Sequence, residues 1–336
     1  MDPVNDMVRN PSEDIILPDF EENVALCSDV VIRLMSGEIS IEDAIQSDNP
    51  YRPFVFEYSI GSTAGTLLLS EQADLSNAEE FELDPFKTIL RIDNLKTGTV
   101  YHYCMSVDGY DYYGSFQTAC SPRFVSIPGT VNTRDIGGYV NLDGLIVRQG
   151  LLIRGTEIDG LVNASYLLPT ERAGDVQDQF GFVYDFDLRS RNTFEGLYQS
   201  PLGAEVEHKF YTAPEYEHVF DESWKWGVYR IFADLADPDH YPMYLHCTWG
   251  KDRTGTIVYL LQGILNVDEA DMMREYQLSA FTNPELLEMT SIDALIDGLL
   301  QYEGDTIQEK IVTFLTTDIG VTSEQIDSIR SIFLAP

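Results

Sequence analysis

Residues 246–256 read HCTWGKDRTGT and connect two apolar segments, MYLHC (243–247) and RTGTIVYLLQGIL (253–265). The first segment has the length of a buried strand, and the second has the length of a helix. The turn between them is then expected at the carboxyl edge of a sheet, where open α/β folds bind their ligands. Unpaired N–H groups and the positive end of the helix dipole make such a turn a binding site for a tetrahedral oxyanion.

Cys247 and Arg253 mark the two ends of this turn. A cysteine near a helix N-terminus and near cations readily becomes a thiolate, so we predict that Cys247 is a nucleophile. Arg253 offers two parallel donors to two oxygens of the bound anion. Thr254 is placed to hydrogen-bond the thiolate, and His246 is placed to orient the turn. The residues predicted to bind the anion share this one turn: Thr248, Trp249, Gly250, Lys251, Asp252 and Arg253.

Composition limits what else the chain can bind. A length of 336 residues is sufficient for two domains with separate cores. Fifty-six acidic and 21 basic residues give a formal net charge of -35, which repels nucleic acid and anionic membranes. We therefore expect no nucleic-acid partner, no stable membrane insertion, and a local basic pocket for an anionic substrate. The cysteines form no CxxC pair and the histidines lack metal-ligand spacing, so we expect no metal and no other cofactor.

The location of the protein is predicted from indirect features. The first ten residues, MDPVNDMVRN, lack the basic and apolar regions of a signal peptide. Strong acidity, and a disulfide that could join Cys104 to Cys120, would suit an exported protein whose signal or lipid anchor was replaced by Met1. We expect an extracytoplasmic or secreted protein, with a cytoplasmic one as the alternative. Two reduced, packed cysteines are the alternative to the disulfide.

Residues 51–118 show the alternating pattern of short strands separated by Gly, Asn and Asp turns. In LKTGTVY (95–101) a leucine precedes a tyrosine by six residues, as in a tyrosine corner. This segment resembles a fibronectin type III domain. We therefore expect an all-β fibronectin III-like sandwich with an N-terminal extension over residues 1–120, and the sequence indicates no ligand for it.

After the proline- and glycine-containing segment ACSPRFVSIPGT (119–130), predicted strands alternate with predicted helices. From residue 269 to residue 333 the pattern is almost entirely that of amphipathic helix. We therefore predict an α/β domain with a helical C-terminal part over residues 121–336.

The order HC, five residues, R and T in residues 246–254 is the signature of the cysteine-based tyrosine phosphatase superfamily. The variant HCxxGKDRTG resembles the atypical secreted bacterial tyrosine and lipid phosphatases. Five further segments carry this resemblance: NTRDIGGY (132–139), LLIRGTE (151–157), DFDLRSRNTFE (185–195), REYQLS (274–279) and VTSEQIDSIRSIF (321–333). It implies a tyrosine-phosphatase-like α/β catalytic domain that hydrolyses phosphomonoesters through a phosphocysteine on Cys247, without a metal. The implied substrate is a phosphotyrosine protein or a phosphoinositide.

The resemblance also implies roles for the two charged residues inside the turn. Lys251 would add a second cation for the substrate, and Asp252 would donate a proton to the leaving alcohol. Ordinary tyrosine phosphatases take their general acid from a separate mobile loop before the cysteine. In the segment EYEHVFDES (215–223), Glu215, Glu217 and Asp221 lie near the usual spacing of that acid and are the alternatives. We favour Asp252 because the lysine and the aspartate occur together in this variant.

Three charged residues have two interpretations each. Lys251 could meet a second phosphate at the rim of the turn, or pair with a neighbouring carboxylate. Arg134 fits a residue that fixes a loop better than a direct ligand. Asp187 could act beside the pocket, or form a strand-end ion pair with Arg189.

Two other functions fit parts of the pattern. A phospho-ligand-binding protein with a non-catalytic phosphatase fold is the main alternative, and the intact cysteine, arginine and aspartate argue against it. Arsenate reduction or sulfur transfer would need a resolving cysteine nearby, whereas the other three cysteines lie in the N-terminal half.

Overall fold

The computed structural model describes residues 15–16, 20, 23–44, 50–189, 199–281 and 290–336. The chain forms two compact units. The first comprises Met1–Leu26 and Arg52–Cys120, and the second comprises Cys27–Tyr51 and Ser121–Pro336. This division differs from the predicted one, because residues 27–51 belong to the second unit. The N-terminal decapeptide and residues 190–195 of DFDLRSRNTFE lie outside the described residues.

The first unit is built from β-strands. Its described strands are β1 (Ile15–Ile16), β2 (Phe54–Glu57), β3 (Ser59–Ile60), β4 (Gly65–Ser70), β5 (Glu79–Leu83), β6 (Ile89–Ile92), β7 (Val100–Val107) and β8 (Tyr110–Gln117). A four-stranded antiparallel sheet has the order β5-β4-β7-β8, while β2 pairs with β6 and β1 with β3. Alternate residues of β4 and β7, such as Leu67 and Met105, are buried in the core of this unit. β5 lies outside the predicted strands because its sequence, EEFEL, is mostly acidic and exposed.

The loop before β7 contains the predicted tyrosine corner. The N–H of Lys96 donates a hydrogen bond of 2.8 Å to the hydroxyl of Tyr101. Such a bond from the tyrosine to nearby upstream backbone is typical of this motif. The relationship to fibronectin type III domains stays a prediction.

Cys104 and Cys120 are both free thiols, so the disulfide alternative is wrong. The register of the hairpin pairs Cys104 with Tyr113, and Cys120 lies beyond the end of β8. Cys104 is buried and Cys120 is exposed.

A six-stranded sheet forms the centre of the second unit. The described strands of this unit are β9 (Arg123–Phe124), β10 (Arg134–Asp135), β11 (Ile146–Val147), β12 (Leu152–Gly155), β13 (Tyr184–Asp187), β14 (Glu207–Phe210), β15 (Met243–His246) and β16 (Leu334–Ala335). β11 and β16 pair with each other in a separate two-stranded sheet, and the other six form the central sheet. The order is β14-β13-β15-β12-β10-β9. β14, β13, β15 and β12 are parallel, whereas β10 and β9 are antiparallel to their neighbours. β15 is buried along its whole length, as expected for a parallel strand covered on both faces.

Helices accompany this sheet. The described helices are α1 (Asp29–Met35), α2 (Ile41–Ala44), α3 (Ala173–Phe180), α4 (Lys225–Leu235), α5 (Asp252–Ile264), α6 (Glu269–Gln277), α7 (Thr290–Leu299), α8 (Ile307–Phe314) and α9 (Ser323–Phe333). α5 is buried from Thr254 to Ile264 and contacts α6, α8 and α9. None of the helices within the described ranges is long and apolar enough to cross a membrane.

Candidate active site

Three parallel strands end side by side at the site. The register places Gly155 of β12 and Asp187 of β13 beside His246, the last residue of β15. The chain continues through Cys247 into a turn, and α5 begins at Asp252. Cys247 is buried, with 4% of its surface exposed. The strand, turn and helix therefore follow one another at the carboxyl edge of the sheet.

Three successive carbonyl groups of the turn accept hydrogen bonds from residues outside it. The donors are the N–H of Glu157 to Thr248 at 3.2 Å, Nδ2 of Asn132 to Trp249 at 3.0 Å, and Nη2 of Arg154 to Gly250. In contrast, a set of turn N–H groups makes no hydrogen bond to any described residue: Thr248, Trp249, Gly250, Asp252 and Arg253. Unpaired N–H groups at a helix N-terminus are the donors that bind a tetrahedral oxyanion.

Gly250 allows the turn to approach β12 closely. Its φ of +66° lies in the left-handed region, which residues with a side chain rarely adopt. A Cβ at this position would overlap the carbonyl oxygen of Gly155 and lie 3.2 Å from Nδ2 of Asn132. Both conformation and space therefore require glycine here.

A buried carboxylate pairs with two arginines behind the turn. Glu275 of α6 lies 2.7 Å from Nε of Arg134 and 2.8 Å from Nη1 of Arg154. Arg134 also donates to the carbonyl and to the side chain of Asn132, the residue that binds Trp249. Burial, together with the nearby Arg154, lowers the pKa of Arg134 to about 10. Arg134 thus has the contacts of a residue that fixes a loop.

His246 connects β15 to β13. Its Nε2 lies 3.0 Å from Asp185 and 3.6 Å from Asp187, and its Nδ1 lies 3.3 Å from the carbonyl oxygen of Cys247. Burial acts to lower the pKa of His246, but the two carboxylates outweigh it and raise that pKa above the ordinary value. Burial likewise acts to raise the pKa of Asp187, yet His246 and the other cationic neighbours hold it well below the usual range.

Asp187 also pairs with Arg189, at 2.7 Å between Oδ2 and Nη2. The same guanidinium binds Glu157 and Asp159, and all four side chains are nearly fully buried. The strand-end ion pair is therefore present. It also lies close to the turn, because the N–H of Glu157 binds the carbonyl of Thr248.

Asp252 is held from a separate segment of the chain. Its side chain is about one-third exposed, and the hydroxyl of Tyr216 donates to Oδ1. Nζ of Lys251 lies 3.7 Å from the same oxygen. The side chain of Lys251 is 9% exposed, so the prediction that it lies at the rim is wrong. Pairing with a neighbouring carboxylate is the interpretation that the geometry favours.

The three alternative acids have different surroundings. Glu215 is half-buried, and its Oε2 lies 4.0 Å from Nε of Arg253. Glu217 and Asp221 are exposed, and Asp221 lies 3.1 Å from Nδ1 of His218. Of the three, Glu215 is the one for which the structure gives a contact with a residue of the turn.

A family model described as the tyrosine phosphatase family matches residues 125–335, which is more than half of the chain. The chain belongs to this family. Its α/β unit with a helical C-terminal part is thus a tyrosine-phosphatase-like catalytic fold, as predicted. No curated protein matches the chain.

Two solved structures are remotely similar to this phosphatase. One is the core catalytic domain of the PP-IP phosphatase SIW14 from S. cerevisiae in complex with citrate, at 10% identity and a TM-score of 0.32. The alignment covers 61% of this chain and 96% of that domain. The other is the Siw14 catalytic core, at 12% identity and a TM-score of 0.31, covering 56% of this chain and 93% of that one.

Several residues of the phosphatase site are not predicted to be functional from the sequence. They are Asn132, Arg154, Tyr216, Glu275 and Tyr276, and each contacts the turn or a residue that contacts it. The sequence does contain an indication for Arg154, because a charged residue inside the buried strand LLIRG requires a buried partner. The family resemblance marks the segments of Asn132, Arg154, Glu275 and Tyr276, but it assigns them no contacts.

The hydroxyl of Thr254 is fully buried and makes no hydrogen bond to any described residue of the phosphatase. The hydrogen bond predicted from this hydroxyl to the sulfur of Cys247 is therefore not formed in the structure. Within the described ranges, no group of three or more His, Cys, Asp or Glu side chains is arranged to hold a metal ion.

Proposed function

We propose that the second unit hydrolyses phosphomonoesters through a phosphocysteine on Cys247. One observation carries the proposal: carbonyls of the turn are bound to residues outside it, while most of its N–H groups lack hydrogen bonds to described residues. These N–H groups follow directly on Cys247, the residue immediately after β15. Family membership supports phosphoester hydrolysis by a cysteine-based phosphatase.

In the first step, Sγ of Cys247 attacks phosphorus. The S–P bond forms as the P–O bond to the leaving group breaks, and Asp252 donates its proton to the departing oxygen. The turn N–H groups and Arg253 bind the three non-bridging oxygens, where negative charge is concentrated.

In the second step, water attacks the phosphocysteine. A new P–O bond forms as the S–P bond breaks, and the carboxylate of Asp252 takes the proton from the water. Inorganic phosphate leaves, and the thiolate and the protonated aspartate are restored.

Asp252 is the proposed acid because it lies inside the turn and its carboxylate is held by Tyr216. Glu215 is the strongest alternative because it lies near Arg253. The two are separated by comparing Asp252→Asn with Glu215→Gln. The variant of the true acid loses far more kcat/KM on an alkyl or phenyl phosphate than on an activated aryl phosphate, which leaves without protonation.

The proposed substrate is a phosphotyrosine protein or a phosphoinositide. A panel of both classes, with released phosphate as the readout, tests this choice. Export and the fibronectin III-like character of the first unit remain predictions from the sequence.

The central experiment is a rapid quench with a ³²P-labelled aryl phosphate. We expect label on the peptide that contains Cys247 in the wild type, and neither label nor turnover in Cys247→Ser. Cys120→Ser, at an exposed thiol of the first unit, is the control and retains activity. Cys247→Ser activity within tenfold of the wild type would refute the mechanism, and a pure binding protein would show no label in any variant.

A further inference from the structure

Tyr216 connects the candidate acid to α6. Its hydroxyl donates to Oδ1 of Asp252 and lies 2.8 Å from the hydroxyl of Tyr276. Both tyrosines are buried, with 7% and 3% of their surfaces exposed. Neither belongs to the turn, and the reaction scheme above assigns them no part.

The direction of these hydrogen bonds follows from counting protons. A tyrosine hydroxyl carries one hydrogen, and Tyr216 uses it on Asp252. Tyr276 must therefore be the donor in the bond between the two hydroxyls. Burial is the largest cause that raises the pKa of both tyrosines above the ordinary value, and the charge of Asp252 raises both further, so both keep their protons at neutral pH.

Tyr216 is also fixed through its backbone. Its N–H donates a hydrogen bond of 2.9 Å to Oγ1 of Thr256, which in turn donates 2.9 Å to the carbonyl of Asp252. The φ of Tyr216 is +52°, a conformation that a side-chain-bearing residue adopts at a cost. The backbone and the side chain of this tyrosine are thus both bonded to the N-terminal part of α5.

The two oxygens of Asp252 differ in their surroundings. Oδ1 has the contacts with Tyr216 and Lys251, whereas Oδ2 makes no hydrogen bond to any described residue. A carboxyl group held in this way has one oxygen fixed and the other available to carry a proton.

We propose that Tyr216, supported by Tyr276, is a positioning residue that holds Asp252 by Oδ1 and presents Oδ2 to the leaving group. In the first step the Oδ2–H bond breaks, the proton passes to the leaving oxygen, and the new negative charge is stabilised by the donor on Oδ1. In the second step Oδ2 accepts a proton from water. The inference rests on the proposed role of Asp252.

Tyr216→Phe tests this role because it removes the hydroxyl and keeps the ring. Tyr259→Phe is the matched control, since Tyr259 is a buried tyrosine of α5 whose hydroxyl makes no hydrogen bond to any described residue. Tyr276→Phe removes only the donor to Tyr216. For each variant, kcat/KM is measured with phenyl phosphate and p-nitrophenyl phosphate, together with inhibition by inorganic phosphate.

We expect Tyr216→Phe to lose about tenfold in kcat/KM on phenyl phosphate, the value of one charge-assisted hydrogen bond. The loss on p-nitrophenyl phosphate should be small, and inhibition by phosphate should be unchanged. Tyr276→Phe should show a smaller loss of kcat/KM on phenyl phosphate, and Tyr259→Phe should match the wild type. A purely structural role would instead lower activity on both substrates together and weaken phosphate binding.

Equal losses on both substrates, or no loss, in Tyr216→Phe would overturn the inference even where Asp252→Asn shows the leaving-group effect. If Asp252→Asn shows no such effect, the positioning role falls with the acid, while label on Cys247 would still support the proposed reaction. Thermal unfolding identifies any variant that fails to fold. If Tyr216→Phe does not fold, Tyr276→Phe decides by the same criteria.

Discussion

Glu275 and Arg154 form a buried ion pair at 2.8 Å, and the same guanidinium donates to the carbonyl of Gly250 in the turn. The carboxylate also neutralises Arg134, which binds Asn132 and thereby the carbonyl of Trp249. A single acidic residue of α6 therefore stabilises two donors that orient the turn from outside. Since neither arginine has access to solvent, the loss of this carboxylate would leave two buried charges without their partner.

We expect Glu275→Gln to destabilise the second unit by about 3 kcal/mol, the cost of breaking a buried ion pair. Activity should fall because Arg154 and Asn132 no longer hold the turn. Thermal unfolding and kcat/KM provide the two measurements. Asp175→Asn is the control, because Asp175 forms an exposed ion pair with Arg172. It should lower the free energy of unfolding by less than about 1 kcal/mol. Equal effects of the two substitutions would contradict the role of Glu275.

We expect Gly250→Ala to abolish most of the activity and to destabilise the fold by about 2 kcal/mol or more. The added methyl group meets the Gly155 carbonyl, and the φ of +66° is unfavourable for alanine. Gly144→Ala measures the loss of stability that comes from the positive φ alone, because Gly144 also has a positive φ but has no neighbour within 4 Å of an added Cβ. This control substitution should lower the free energy of unfolding by about 1 kcal/mol and leave kcat/KM unchanged. If the two variants unfold at the same temperature, close packing of the turn against β12 is unimportant.

We expect Lys251→Ala to lower kcat/KM by a similar factor on a phosphotyrosine peptide and on a phosphoinositide. Its side chain is buried and lies near Asp252, so its charge acts inside the site and salt should screen it little. The measurement is kcat/KM for both substrates across a salt series. A loss confined to the phosphoinositide and shrinking as salt rises would show that Lys251 binds a second phosphate.

We expect the free energy of unfolding to depend on pH through His246. Its pKa in the folded state is raised above 6.5, so the stabilisation from its pairing with Asp185 and Asp187 is complete below about pH 6.5 and is lost as pH rises through the folded-state pKa. The difference in unfolding midpoint between the wild type and His246→Gln should therefore shrink from pH 6 to pH 9. His218→Gln, at an exposed histidine, should show no such trend. A difference that grows with pH would contradict the assignment.

The catalytic turn is well predicted from the sequence because its signals are local. A buried strand, a glycine-containing turn and an apolar helix adjoin one another. The observed β15 ends one residue before the predicted strand, and the observed α5 begins and ends one residue before the predicted helix. The contacts that orient the turn are not local. Arg134 and Glu275 are separated by 141 positions, and Tyr216 and Asp252 by 36.

Periodicity also leaves open which unit a segment joins. The apolar residues of α1, such as Val31 and Leu34, predict that one face is buried but do not indicate the partner. In the structure they pack in a cluster with Phe124 and Leu278. The assignment of residues 27–51 to the second unit therefore depends on tertiary contacts that no local pattern encodes.

Glu275 and Tyr276 are consecutive residues of α6, and their side chains leave the helix about 100° apart. One pairs with the arginines that hold the carbonyl side of the turn, and the other meets the tyrosine that holds the aspartate. Anion binding and proton donation thus share a single helical support. Substitutions that shift α6 as a whole should change both properties together, so phosphate affinity and leaving-group sensitivity are expected to be correlated across such variants.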